Sequence, residues 1–128
     1  MKLKRNFSEI TPQIKELTKI CREHNYIDNE LFKKYDVKRG LRDINGKGVL
    51  TGLTDISDIR SYKEVNGESV PIEGQLFYRG INIEKIVAGC VKDNRFGFEE
   101  TTYLLLFGNL PDKQQLLDFN KLLADYRS

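Results

Sequence analysis

The chain has 128 residues, with 21 Lys and Arg against 19 Asp and Glu, a net charge of +2 at neutral pH. That length suits one domain able to bury a sizeable core. The small positive surplus argues against a nucleic-acid-binding protein, in which basic residues gather on one face. Hydrophobic residues make up 39% and charged residues 31%, which excludes a chain disordered throughout and a collagenous or low-complexity one. The longest unbroken apolar run is Leu104 to Phe107, far short of the ~20 residues of a membrane span. Met1-Lys2-Leu3-Lys4-Arg5 is basic, but no apolar leader or small-residue cleavage site follows it, so a soluble, cytoplasmic protein is expected. The two cysteines, Cys21 and Cys90, lie at no motif spacing. They read as thiols in a reducing compartment, acting as small buried hydrophobes, with a disulfide between them as the alternative.

Three segments are expected: helical over 1–36, loop and β-hairpin over 37–80, and helical again over 81–128. Ser8 and Thr11 are both candidate helix caps, and Pro12 suits a first turn. Ile10, Ile14, Leu17 and Cys21 then recur on one helical face, and Asn25 ends the helix. Asp28 or Asn29 caps a short second helix with Leu31, Phe32 and Tyr35 on its apolar side. From Val37 glycines crowd in, which argues for loops. Gly48 to Thr54 reads as a short strand, and a second β stretch runs from Ile59 to Val65. Asn66-Gly67 between β-formers predicts a hairpin, because both turn positions need positive φ. Pro71 confines its strand to an edge, and Gln75 to Tyr78 forms one more short strand. Asn82 caps a helix carrying Ile83, Ile86, Val87 and Cys90, and a polar loop follows from Lys92 to Gly97. The next helix starts at Phe98 and stops at Gly108. Asp112 and Gln115 form a capping box for the last helix, which runs into Ser128 with no glycine stop. An ending inside a periodic pattern suggests a chain cut from a longer one.

Catalysis needs a poised acid, base, nucleophile or metal, and few candidates are present. His24, the only histidine, falls at the end of the first helix, where a cation favours the helix dipole. One histidine and two distant cysteines make no zinc site, and no metal ligand set is expected. Gly46-Lys47-Gly48 follows no long strand and opens no helix, so it is no dinucleotide fingerprint. Asp43, Asp55 and Asp58 read as solvated loop residues or caps. The cluster Arg39-Gly40-Leu41-Arg42 places two guanidinium groups beside a glycine, an arrangement able to clasp a phosphate.

Two stretches taken together resemble the citrate synthases. The first is Gly40-Leu41-Arg42-Asp43 followed by the run from Gly48 to Ser57; the second runs from Gly74 through Tyr78-Arg79-Gly80 and on through Phe98-Glu99-Glu100 to Leu110-Pro111. The resemblance covers roughly residues 38 to 128 and implies a mainly α fold with a small antiparallel β-hairpin element, the opening section of the family's large domain. It implies an acyltransferase of the tricarboxylic acid cycle that condenses acetyl-CoA with oxaloacetate to citrate and CoA. Acetyl-CoA enters as substrate with no cofactor, and the full-length enzyme is a homodimer. The family's two catalytic histidines and its aspartate have no counterpart here, since His24 matches neither histidine motif. By that resemblance the chain is an inactive N-terminal fragment with no catalytic residue of its own. Arg42 matches the family arginine that reaches the phosphates of CoA, with Arg39 beside it; the structural alternative is that Arg42 pairs with Asp43 or another surface acid. Arg79 reads as structural, tying its turn to carbonyls, with Gly80 supplying unusual backbone angles.

Within the family, a 2-methylcitrate synthase using propionyl-CoA is the near neighbour. Outside it, the alternative is a free-standing helical module that binds a protein partner through its apolar helices. The run Leu104-Leu105-Leu106-Phe107 is apolar on every side of its helix, as in a helix buried inside a larger protein.

Overall fold

A computed structural model describes residues 9–44, 46 and 48–127. The basic start from Met1 to Arg5, the alternative cap Ser8, Lys47 of the glycine pair and the terminal Ser128 lie outside the described residues. The chain folds mainly as α-helices with a small antiparallel sheet. In chain order it forms α1 (Pro12–His24), α2 (Asn29–Lys34), β1 (Ser57–Val65), β2 (Glu68–Tyr78), β3 (Ile81–Asn82), α3 (Ile83–Lys92), α4 (Phe98–Phe107) and α5 (Lys113–Arg127).

Short polar side chains set where the helices start. Thr11 Oγ1 accepts from the Ile14 amide at 3.2 Å, Asp28 Oδ1 from Glu30 at 2.9 Å, and Asn82 Oδ1 from Glu84 at 2.8 Å. Each satisfies an amide that the first helical turn leaves without a partner. Asp112 and Gln115 close the expected capping box in both directions: each backbone amide donates to the other's side-chain oxygen at 2.8 Å. At the other end of α4, Gly108 adopts φ +85 as its left-handed stop. Ile10 lies before the cap and is exposed, so the apolar face of α1 begins at Ile14 and not at Ile10 as the periodicity predicts.

The β region is simpler than the sequence suggests. Asn66 and Gly67 take φ of 52° and 82°, and the hairpin pairs Val65 with Glu68 across them. The register slips between Arg60 and Tyr62, opposite the segment containing Pro71. Pro71 pairs with Tyr62, while β3 meets β2 only at Phe77 and Tyr78, so the proline sits where β2 is locally an edge. Gln75 to Tyr78 is not a strand of its own but the end of β2. The strand expected over Gly48 to Thr54 is absent: a single bridge joins Arg42 and Gly48, and the segment is otherwise loop. Its β-formers are interrupted by Gly52 and find no neighbouring strand among the described residues.

The core lies where α1, α4 and α5 meet. Tyr103, Phe107 and Phe119 are buried, and Leu17, Ile20, Cys21 and Leu123 pack around them. The three rings contact one another pairwise at centroid separations of 4.5, 5.4 and 5.9 Å, tilted or edge-on, the geometry that their quadrupoles favour. Leu104 is fully buried, whereas Leu106 remains 45% exposed, so the apolar girdle of α4 is only partly covered. Both cysteines are free thiols, each half-buried. Among the described residues no helix is long and apolar enough to cross a membrane.

Candidate functional site

Two places concentrate the polar chemistry of the chain: the loop between α2 and β1, and the turn between β2 and β3.

The loop folds largely on itself. Lys38 N donates to Leu50 O at 2.7 Å, Val49 N to Leu41 O at 3.4 Å, and Gly46 N to Asp43 O at 2.9 Å. Arg42 Nη1 donates to Gly46 O at 2.8 Å. Arg42 is therefore fastened to a backbone carbonyl of its own loop rather than to Asp43, whose carboxylate accepts from the Ile44 amide at 2.7 Å. Arg39 and Arg42 are both exposed. Their loop thus presents two guanidinium groups to solvent, one of them steadied by its own backbone. A guanidinium carries five N–H donors, so a single carbonyl does not saturate it.

The turn is organised by Arg79. Arg79 and Gly80 both have positive φ, 48° and 80°, so the chain reverses tightly from β2 into β3. The Arg79 side chain is only 5% exposed. Its Nε and Nη2 donate to Leu105 O at 3.2 and 2.8 Å, Nη1 to His24 O at 2.9 Å, and Nη2 to Asn25 Oδ1 at 2.6 Å. The expected carbonyl tether is therefore present, but it reaches much further than the turn, linking residues 26 to 55 positions apart. His24 and Leu105 lie at the C-terminal ends of α1 and α4, where the helix dipoles present partial negative charge, so a buried cation is compensated there. Asp55 completes the site, with Oδ1 2.9 Å from Nη1. Read from sequence as a solvated loop acid, it is instead the ionic partner of the most buried arginine in this region.

Asn25 ties the same junction from the other side. Its Nδ2 donates to Cys21 O at 2.6 Å and to Leu106 O at 3.0 Å. His24 lies against Gly108, where an added Cβ would stand 2.8 Å from the imidazole ring. The lone histidine stays exposed at the end of α1, as the sequence suggests, with its ring beside Gly108 and its carbonyl accepting from Arg79. No cluster of three metal-ligating side chains occurs among the described residues.

An open groove of about 680 Å³ runs between α3 and the start of α4, lined by Ile83, Val87, Cys90, Val91, Phe96 and Phe98 among others. Among its described lining residues the only charged one is Arg95, which is paired with Asp93 and with the buried Glu100. The groove offers apolar surface and no uncommitted charge. Sequence reasoning missed the Arg95–Glu100 pair and the Asp55–Arg79 pair alike. The first is short-range in sequence but looks like any surface pair; the second joins residues with no local signal between them.

Comparison with known proteins gives a consistent result. Residues 40–128 match the family model described as "Citrate synthase, C-terminal domain". Two curated relatives come from Corynebacterium glutamicum. 2-methylcitrate synthase 1 is 36% identical over 92 residues, covering 72% of this chain and 19% of that protein. 2-methylcitrate synthase 2 is 36% identical over 93 residues, 73% of this chain and 19% of that protein. The citrate synthase of Saccharolobus solfataricus is 46% identical over 55 residues, 42% of this chain and 13% of that protein. The chain thus spans about a fifth of the length of the first two relatives. No solved structure matches it.

Proposed function

The chain belongs to the citrate synthase family, and we propose that it is the opening section of the large domain of an acyltransferase that condenses acetyl-CoA with oxaloacetate to give citrate and CoA. The observation that carries this reading is the family match over residues 40–128. The order of its motifs, from Gly40-Leu41-Arg42 to Leu110-Pro111, supports the placement within the large domain.

The reaction requires a base to take a proton from the acetyl methyl, a very weak carbon acid, and a donor to stabilise the enolate that forms. It also requires a closed, dry site in which the thioester is protected from water. His24 is the sole histidine of the chain, and it lies exposed at the end of α1 with its ring beside Gly108. In this reading the chain contributes scaffold and the remainder of a homodimeric enzyme contributes the acid–base groups, so these 128 residues alone do not turn over. Arg42, with Arg39 beside it, is the contact to the phosphates of CoA. Both guanidinium groups are exposed, and Arg42 is steadied by Gly46 O, which suits bidentate recognition of a phosphate.

A second reading is favoured by a specific observation: two relatives that match more than 70% of the chain are 2-methylcitrate synthases. In that case the acyl donor is propionyl-CoA. Both readings are tested by extending the gene sequence past the codon for Ser128 and assaying the full product. Thiol release that depends on oxaloacetate supports the acyltransferase, and the preferred thioester separates the two. A stop codon directly after Ser128, with no thiol release from either thioester, overturns both and leaves a helical binding module.

A further inference from the structure

We propose that Asp55 is a positioning residue for the arginine-bearing loop between α2 and β1, holding that loop on the helical body through Arg79. The consequence for ligand binding rests on the reading of Arg42 and Arg39 as phosphate contacts; the tether itself does not.

The loop is fastened near both ends. At its start, Val37 N donates to Phe32 O at 3.0 Å. At its end, two adjacent residues converge on Arg79: Asp55 Oδ1 meets Nη1 at 2.9 Å, and Ile56 O accepts from the Arg79 amide at 2.9 Å. Between these points its described bonds are largely internal, joining Lys38 to Leu50, Leu41 to Val49 and Arg42 to Gly46. A segment bonded to itself moves as a unit, so where its arginines stand depends on how its ends are held.

Arg79 is suited to that task because its other partners belong to the body. With Leu105 O, His24 O and Asn25 Oδ1 already bound, the guanidinium keeps its place when the carboxylate is removed. Asp55 is 47% exposed in its side chain while Arg79 is 5% exposed. The loop side of the pair is therefore the releasable one; its loss leaves the Arg79 cation to the neutral acceptors His24 O, Leu105 O and Asn25 Oδ1, two of them at helix C-termini that favour a cation. An unfastened loop must be ordered by the ligand, and that ordering is subtracted from the affinity.

The test uses the 128-residue chain and coenzyme A as the probe. Titration calorimetry at low ionic strength gives Kd, and hydrogen exchange of the Arg79 amide reports the tether. Asp55→Ala is expected to speed exchange of that amide relative to amides in α4 and to raise Kd about fivefold, the size of a half-exposed ion pair. Asp55→Glu is expected to restore both. Arg42→Ala is expected to weaken CoA binding with the Arg79 amide unchanged. Should the alanine variant unfold, Asp55→Asn, which keeps an oxygen acceptor but no charge, answers the same question. Unchanged exchange and unchanged Kd in Asp55→Ala overturn the proposal. Absence of CoA binding by the wild-type chain overturns the phosphate reading alone; the tether is then decided by the exchange result, and unchanged exchange in Asp55→Ala overturns it.

Discussion

Arg79 does at one position what usually takes several residues. Its guanidinium satisfies carbonyls at the ends of two helices, an amide oxygen and a carboxylate, from a side chain 5% exposed. Removing it leaves the part-buried Leu105 O without its donor, a desolvation penalty, while His24 O, Asn25 Oδ1 and the Asp55 carboxylate turn to water. Arg79→Ala is expected to lower the unfolding free energy by about 2 kcal/mol, read from the urea midpoint. Arg79→Lys is expected to recover only a small part, because one ammonium cannot reach acceptors spread across a fork. Tyr103 makes a second residue-scale prediction. Burial raises its phenol above the ordinary value of 10.0, and the carboxylate of Asp112 adds to the rise. Below pH 10 the phenol is protonated in both the folded and the unfolded chain, so its contribution is fully present. As pH rises above 10.0 the unfolded chain releases the proton first, and stability falls until the folded group ionises as well. Tyr103→Phe should flatten that part of the alkaline stability curve, measured by denaturant midpoints between pH 9 and 11; an unchanged slope would refute the assignment.

The elements differ in how firmly they are held. α1, α4 and α5 share a core, whereas β1 is exposed along its whole length and, among the described residues, pairs only with β2. A two-stranded ribbon without a packed face is marginal in water, so the outer hairpin should open locally without unfolding the rest. Gly67→Ala, at φ 82°, forces a side chain into a left-handed position at a cost of about 1 kcal/mol. The expected result is faster hydrogen exchange confined to Val65 and its neighbours, with the urea midpoint of the helices unmoved; a global loss would show that the hairpin is coupled to the core. Local chemistry made most of these elements legible in the sequence. Caps at Thr11, Asp28, Asn82 and Asp112 and the turn at Asn66-Gly67 each depend on residues within three positions of one another. The strand misread over Gly48 to Thr54 shows the limit of that approach, since strands need a partner that local pattern does not supply. The candidate site was half legible for the same reason. The arginine cluster is contiguous in sequence, but the bond from Arg79 to His24 spans 55 positions, and nothing near Asp55 marks its partner.

At the scale of the molecule, apolar surface is left uncovered on one side. Val87 and Val91 on α3 are 54% and 74% exposed, and Phe96 and Phe98 beside them 95% and 74%. Scattered exposed hydrophobes are ordinary, but these line one groove, and contiguous patches of that kind drive association. The net charge of +2 offers little long-range repulsion to oppose it. The 128-residue chain is therefore expected to self-associate as its concentration rises. Sedimentation velocity should show the weight-average coefficient climbing with concentration, and salt should strengthen the effect, since apolar contact rather than charge drives it. Val91→Lys places a charge at the most exposed aliphatic position of that groove and should shift the association to at least tenfold higher concentration, about 1.4 kcal/mol. Its effect on the urea midpoint should be small, because Val91 contributes little to the core. Val65→Lys on the hairpin, 40% exposed and away from the groove, should leave association unchanged. Equal effects from the two substitutions would place the driving force in overall charge and not in the α3 face.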